Sequence, residues 1–148
     1  MSYPQPMEHP IEFFSEDIAF ELDNPDQVSE WIATVIAQHG QELSGLTYVF
    51  CSDDYLHQIN VEYLDHDTLT DIITFNNADT EGTVEGDVFI SIDRVRDNSS
   101  DLGTSFRDEL HRVIIHGVLH LLGFTDKSEE EEVLMRKQED SSLSLRKF

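Results

Sequence analysis

The stretch 104–122 constrains the fold more than any other part of the chain. From Val113 to Leu122 it reads Val-Ile-Ile-His-Gly-Val-Leu-His-Leu-Leu, apolar nearly all round at helical spacing. A helix without a polar face has to be covered on every side, so this one is predicted to be central and buried. Gly123 stops it.

The rest of the chain reads as the cover. Ile11-Glu12-Phe13-Phe14 is a short strand after Pro10. Asn24 caps a helix that has Pro25 in its first position, carries Val28, Trp31, Ile32, Val35 and Ile36 at helical spacing, and ends at Gly40. Trp31 belongs to the core with its neighbours. Residues 45–52 read as a buried strand, and Asp53 as the cap of a helix bearing Leu56, Ile59, Asn60 and Tyr63. Residues 71–76 and 88–92 form a hairpin around the polar turn 77–84. Residues 93–100 read as a helix. Ser128 with Glu131 opens the last one as a capping box, and it runs to about Leu145. The expected architecture is α/β (α+β): a small mixed four-stranded sheet packed with about five helices, in a single domain over residues 1–148.

Charge narrows the function classes. Nine Lys and Arg against 31 Asp and Glu give −22. Such a surface repels polyanions at long range, which excludes a DNA-coating protein, a basic RNA chaperone and a binder of anionic membranes. The distribution is uneven. Residues 1–93 hold 20 acids and no Lys or Arg, while residues 94–148 hold all nine cations against 11 acids, so the two parts carry −20 and −2. Any polyanion site must draw its positive charge from the last third or from a metal. Cys51 is the only cysteine, which leaves no intrachain disulfide and no Cys-rich zinc site. The N-terminus, Met1 to Pro10, has neither the basic nor the apolar region of a signal peptide, and no apolar run is long enough to span a membrane. A cytoplasmic protein is expected.

Two histidines interrupt the apolar helix. His116 and His120 stand four apart and project from one face, one turn from each other. That spacing suits two imidazoles on one tetrahedral metal. Gly117 leaves room for another chain segment or a substrate. Gly123 turns the chain just after the second histidine, and Asp126 is then placed to return as a third ligand. Two histidines and a carboxylate with a fourth position open make a catalytic zinc arrangement. The residue after His116 is Gly117 rather than the Glu of H-E-x-x-H proteases, so hydrolysis would depend on water activated by the metal.

The nonapeptide His116-Gly117-Val118-Leu119-His120-Leu121-Leu122-Gly123-Phe124 resembles the H-G-x-L-H-L-x-G-[YF] signature of the YbeY family of bacterial metal-dependent endoribonucleases. Three further stretches match in order: Ile59-Asn60 with Tyr63, Thr70-Asp71-Ile72-Ile73-Thr74-Phe75, and Gly86-Asp87-Val88-Phe89-Ile90-Ser91. The resemblance spans roughly residues 45–140. It implies a compact α/β fold, one zinc ion per chain, and a role in ribosomal RNA maturation, notably at the 3′ end of 16S RNA, with ribosome quality control beside it.

Two positions depart from the family pattern. A third histidine is usual where this chain has Asp126, which makes Mn²⁺ or Fe²⁺ a little more suitable than three histidines would. An arginine is usual where this chain has Leu64; His66, two residues on, is a substitute donor. Asp87 and Arg112 are further candidates for catalysis, Arg112 as a phosphate contact one turn before His116. Asp71 and Asn76 read as site-lining or as strand-end residues, and Asn60 as a helix-end hydrogen bonder. The substrate-binding residues and the oligomeric state are not fixed by the sequence. The reading is a single-strand-specific endoribonuclease acting with the small ribosomal subunit, with no membrane and no DNA partner. RNA would approach only the face around 104–127. The competing readings are a metal hydrolase of peptides or small molecules and a non-catalytic ribosome-associated factor with a structural metal.

Overall fold

The computed structural model describes residues 10–148, so the reading of residues 1–9 as free of a signal peptide lies outside it. In chain order the elements are β1 (Ile11–Ser15), α1 (Pro25–Gln38), β2 (Glu42–Cys51), α2 (Asp53–Leu64), β3 (Ile72–Asn76), β4 (Thr83–Ser91), α3 (Ile92–Leu102), α4 (Phe106–Leu121) and α5 (Glu129–Leu143). The sheet order is β1-β2-β4-β3. β1, β2 and β4 run parallel, and β3 returns antiparallel to β4. This is the mixed four-stranded sheet with five helices that the sequence implies.

Alternation along β2 shows how the sheet acquires its core face. Leu46, Tyr48 and Phe50 are buried, and they pair in register with Gly86, Val88 and Ile90 of β4. Helices α1 and α4 lie on this face: Val28, Trp31, Ile32, Val35 and Ile36 join Leu110, Val113, Ile114, Val118 and Leu121 in one apolar cluster with the strands. Helix α4 also packs against α3 and α5, so it is the central helix expected. Ile114, Ile115 and Leu119 have 0% exposure, and burial of each contributes about 1.5–3 kcal/mol. The Tyr48 hydroxyl donates to the Ile114 carbonyl at 3.1 Å, tying strand to helix. Burial of this phenol raises its pKa. The opposite sheet face is partly covered by α2 over Cys51, Leu56 and Ile73. Burial, then the charges of Asp17, Asp93 and Asp53, push the Cys51 thiol up to about 12, which leaves it an inert core residue.

Several boundaries differ from those read in the sequence. Asn24 sits at the start of α1 with φ 54° but its side chain makes no cap bond, so Pro25 alone marks that start. Ser52, not Asp53, caps α2: its hydroxyl accepts from the Tyr55 N–H at 3.1 Å and is itself anchored on Asp17 at 2.6 Å. β2 begins at Glu42 and β4 at Thr83; Leu43 and Val84 are apolar there, but Gly45 and Gly86 separate them from the apolar runs that mark each strand. The capping box of Ser128 and Glu131 is present as read, and α5 ends at Leu143.

Two glycines set the distance between α4 and the sheet. A Cβ on Gly117 would lie 3.0 Å from Ile72 Cδ1 and 3.1 Å from Val88 Cγ1. The close approach expected at Gly117 is therefore to the strands, not to a substrate. A Cβ on Gly86 would lie 2.4 Å from the Phe75 carbonyl oxygen and 3.2 Å from both Leu121 methyls. Backbone cannot yield as side-chain ends can. Gly86→Ala is expected to cost about 3 kcal/mol. Gly117→Ala costs less, because Ile72 and Val88 can shift and Ala is the better helix former by about 1 kcal/mol. Urea denaturation of the two variants checks the order, and an equal or reversed loss would contradict it.

Candidate metal centre

The C-terminal half of α4 carries His116 and His120 to the surface end of the buried helix, where their side chains keep 20% and 28% exposure. Their ring centroids are 4.6 Å apart. Gly123 then adopts φ 111°, a conformation available to glycine, and the Phe124 N–H bonds back to the Leu119 carbonyl at 3.0 Å. This reversal brings Asp126 home. Its Oδ2 stands 3.4 Å from His116 Nε2 and 3.6 Å from His120 Nε2. Donors held at about 2.0–2.2 Å around one tetrahedral ion are separated by about 3.3–3.6 Å, so this donor set fits a metal in both chemistry and spacing. Among the described residues it is the only such group of three.

Glu139 of α5 completes the arrangement. Its carboxylate accepts from His116 Nδ1–H at 2.7 Å, which leaves the Nε2 lone pair facing Asp126. A carboxylate behind a metal-facing histidine fixes both tautomer and ring orientation. Glu139 also accepts from Arg112 Nη1 at 2.8 Å, and Arg112 Nη2 donates to Asp140 at 2.8 Å. Burial raises the Glu139 carboxyl, but the bonds from His116 and Arg112 outweigh it and hold the group below the usual range. Burial pushes His116 down, yet Glu139, Asp126 and Asp71 carry it above its ordinary value. His120 is lowered, first by burial and then by the neighbouring His116.

The sequence reading missed Glu139. No local pattern marks it: Met135, Glu139 and Ser142 are the buried positions of α5 only once that helix packs on its neighbours. Other candidates fall elsewhere. Arg112 is committed to Glu139 and Asp140 and is not a free phosphate donor. His66 lies exposed in the loop after α2, outside the cluster. Asp87 alternates with the buried Gly86 and Val88 and so faces away from α4, where it lines a groove with Tyr63, Phe75 and Phe89 and accepts from Asn77 at 3.1 Å. Asp71, at the entry to β3, lies on the His116 side: burial raises its carboxyl and the His116 charge opposes that. Asn76 is the exposed last residue of β3, one of the two readings given for it, and its Oδ1 accepts from the Ala78 N–H at 3.0 Å. Asn60 is buried and donates to the Thr68 carbonyl at 2.9 Å, the helix-end role expected of it.

The third histidine of α4, His111, is a core residue. It packs against Trp31 and Phe148 with centroids at 5.6 and 5.5 Å, and its Nδ1 accepts from Arg146 at 2.8 Å.

These features define a class: a small α+β protein with a three-donor metal site at the exposed end of its central helix. Residues 11–146 match the family model described as Endoribonuclease YbeY. A protein of Cytophaga hutchinsonii named Endoribonuclease YbeY is 49% identical over 141 residues, covering 95% of this chain and 99% of that protein. One of Flavobacterium johnsoniae with the same name is 44% identical over 132 residues, covering 89% and 94%. The solution structure of TM1509 from Thermotoga maritima superposes with a TM-score of 0.62 at 22% identity, covering 90% of this chain and 89% of that one, a likeness of fold. The chain belongs to the YbeY family.

Two predictions follow from the buried ionisable groups. Burial, then Arg146 and Arg107, lower His111 to about 4. A depressed histidine stabilises the fold above its unfolded value and loses that contribution as pH falls. On the order of 3 kcal/mol is therefore lost between about pH 6.5 and 4, and His111→Gln should remove this part of the pH dependence in denaturation curves. Glu139→Ala leaves Arg112 and His116 without their carboxylate. It is expected to cost about 3 kcal/mol at neutral pH, measured by urea denaturation, with Glu139→Gln costing less.

Proposed function

We propose that the chain is a metal-dependent endoribonuclease that cuts single-stranded RNA at the His116–His120–Asp126 site. The endoribonuclease class comes from the family, whose model matches residues 11–146. One observation carries the placement of the chemistry: three donors converge within 4.8 Å of one another, Asp126 at 3.4 and 3.6 Å from the two histidines, beside an open cavity of about 750 Å³. Two imidazoles and a carboxylate suit zinc, with Mn²⁺ or Fe²⁺ less favoured, and one ion per chain. Such an ion supplies Lewis acidity toward a phosphate oxygen and an acidic water.

The chain's own groups do the rest. His116, His120 and Asp126 hold the ion, and Glu139 keeps the His116 Nε2 lone pair directed at it. Asp126 lowers the net charge of the site relative to three neutral histidines. A single cavity at one helix end accommodates a splayed strand better than a duplex, which matches cutting at unpaired ends. The 3′ end of 16S ribosomal RNA, presented by the small ribosomal subunit in the cytoplasm, is the substrate that the family resemblance supports. No helix among the described residues is long and apolar enough to cross a membrane. Gly117 rather than Glu after His116 speaks against a peptidase, since that position is packed against Ile72 and Val88.

The test joins metal content to cleavage. Purified protein should carry one zinc per chain and shorten a 16S RNA fragment bearing an unprocessed 3′ extension. His120→Ala should lose the metal and at least about a hundred-fold in cleavage rate, since a metal supplies several kcal/mol at the transition state. Zinc-loaded protein that leaves the RNA intact would sink the catalytic reading in favour of a structural metal. Turnover of a peptide panel would favour the peptidase.

A further inference from the structure

Most of the cations are already engaged. Arg94, Arg112 and Arg146 are held by carboxylates. Arg96 and Arg107 lie over the rings of Phe106 and Phe148, at 5.2 and 5.4 Å. The remaining four of the nine are Lys127, Arg136, Lys137 and Lys147. Two of these, Arg136 and Lys137, line the cavity that contains His116 and Asp126. Among the described residues neither has a carboxylate within ion-pair distance.

We propose that Arg136 and Lys137 form the phosphate clamp of this cavity, binding the backbone of single-stranded RNA beside the metal site. This rests on the ribonuclease reading above and deepens it. Helical spacing places Arg136 three residues before Glu139, one turn along α5 from the carboxylate that holds His116. Arg136 is exposed, and its positive charge is felt by the buried Glu109 carboxyl of α4. The cavity otherwise presents Asp126, Glu129, Glu132 and Glu139. Without the two cations, a phosphodiester strand would meet only negative protein charge there. Arg136 offers a planar fork for a phosphate and Lys137 a mobile point charge. Glu129 and Glu132 share the same cavity and repel the backbone, which confines the strand to the Arg136–Lys137 side. Leu64, at the end of α2, offers only carbon and contributes nothing to this charge.

Binding and cleavage together test the clamp. The zinc-loaded protein is titrated into a short fluorescein-labelled oligouridylate over a salt series and read by anisotropy, with cleavage kinetics in parallel. The double variant Arg136→Gln, Lys137→Gln is expected to raise Kd about ten-fold. It should also lower the slope of log affinity against log salt by about 1.4, since each single-strand phosphate contact contributes about 0.7. KM should rise with little change in kcat. Arg136→Lys should retain more affinity than Arg136→Gln, and Lys147→Gln, a cation outside the cavity, should change nothing. Both cations are exposed, so zinc content and thermal stability should match the unsubstituted chain. If the double variant keeps wild-type Kd and slope while the parent binds and cuts RNA, the clamp is wrong and the ribonuclease reading stands. Equal weakening by Lys147→Gln, or loss of zinc from the double variant, also overturns it. A zinc-loaded parent that neither binds nor cuts RNA removes the ribonuclease reading and the clamp with it.

Discussion

The all-round burial of α4 is the constraint from which the rest of the structure follows. A helix with Ile114, Ile115, Val118 and Leu119 fully buried needs a partner on each side, and the sheet, α1, α3 and α5 supply them. The sheet packs tightly against it. At Gly117 and Gly86 the absence of side chains lets helix and strands meet at a separation that larger residues would forbid. That contact fixes where along the sheet the last turns of α4 emerge. His116 and His120 occupy those turns, half-buried, so their positions are inherited from core packing rather than from a loop. A site carried on a packed helix is held more tightly than one carried on a mobile segment, which is what metal geometry requires.

Burying polar groups near that site would be costly without partners, and the chain resolves this with a line of alternating charge. Arg112 bonds to Glu139 and Asp140, and Glu139 bonds to His116. The buried Glu139 faces both Arg112 and His116, and no fully buried side-chain polar atom among the described residues is left without a partner. The same line couples folding to function. α5 docks on α4 partly through Glu139, and that bond sets the His116 tautomer. A defect in the α4–α5 contact would therefore be felt at the metal donors even if none of them were touched.

Sequence periodicity exposes whatever depends on local spacing. The burial of α4, the shared face of His116 and His120, and the return of Asp126 after Gly123 all involve residues within one turn or one tight reversal of each other. They are legible for that reason. Glu139 is not, because its role exists only once α5 lies against α4, and along the chain it reads as one more acid between Gln138 and Asp140. Arg112 misleads in the converse way. It stands one turn before His116 as a phosphate donor would, but its partners come from α5, a segment more than twenty residues away. Asp87 shows how a one-residue step decides a face. It sits between Gly86 and Val88, which touch α4, and the pleat turns it to the other side of the sheet. Strand starts at Glu42 and Thr83 escape notice because Gly45 and Gly86 separate Leu43 and Val84 from the apolar runs that mark each strand.

The uneven charge takes on structural meaning in this frame. The part of the chain with −20 builds β1, α1, β2, α2, β3, β4 and the first two residues of α3, while the near-neutral remainder builds the rest of α3, α4 and α5. The metal donors and the unpaired cations of α5 both belong to the second part. With the proposed clamp, the RNA-facing side extends past the 104–127 segment to include Arg136 and Lys137 of α5. A polyanion approaching this molecule meets repulsion from the acidic elements, the first turn of α5 included, and finds positive charge on α5 only at Arg136 and Lys137. On the proposed reading, binding is short-ranged and local, with neutralisation by two cations and a divalent ion in place of a broad basic surface. Such a design gives slow, weakly steered encounter with free RNA. It suits a substrate whose end is held in place by a larger assembly, where orientation rather than long-range attraction limits the encounter.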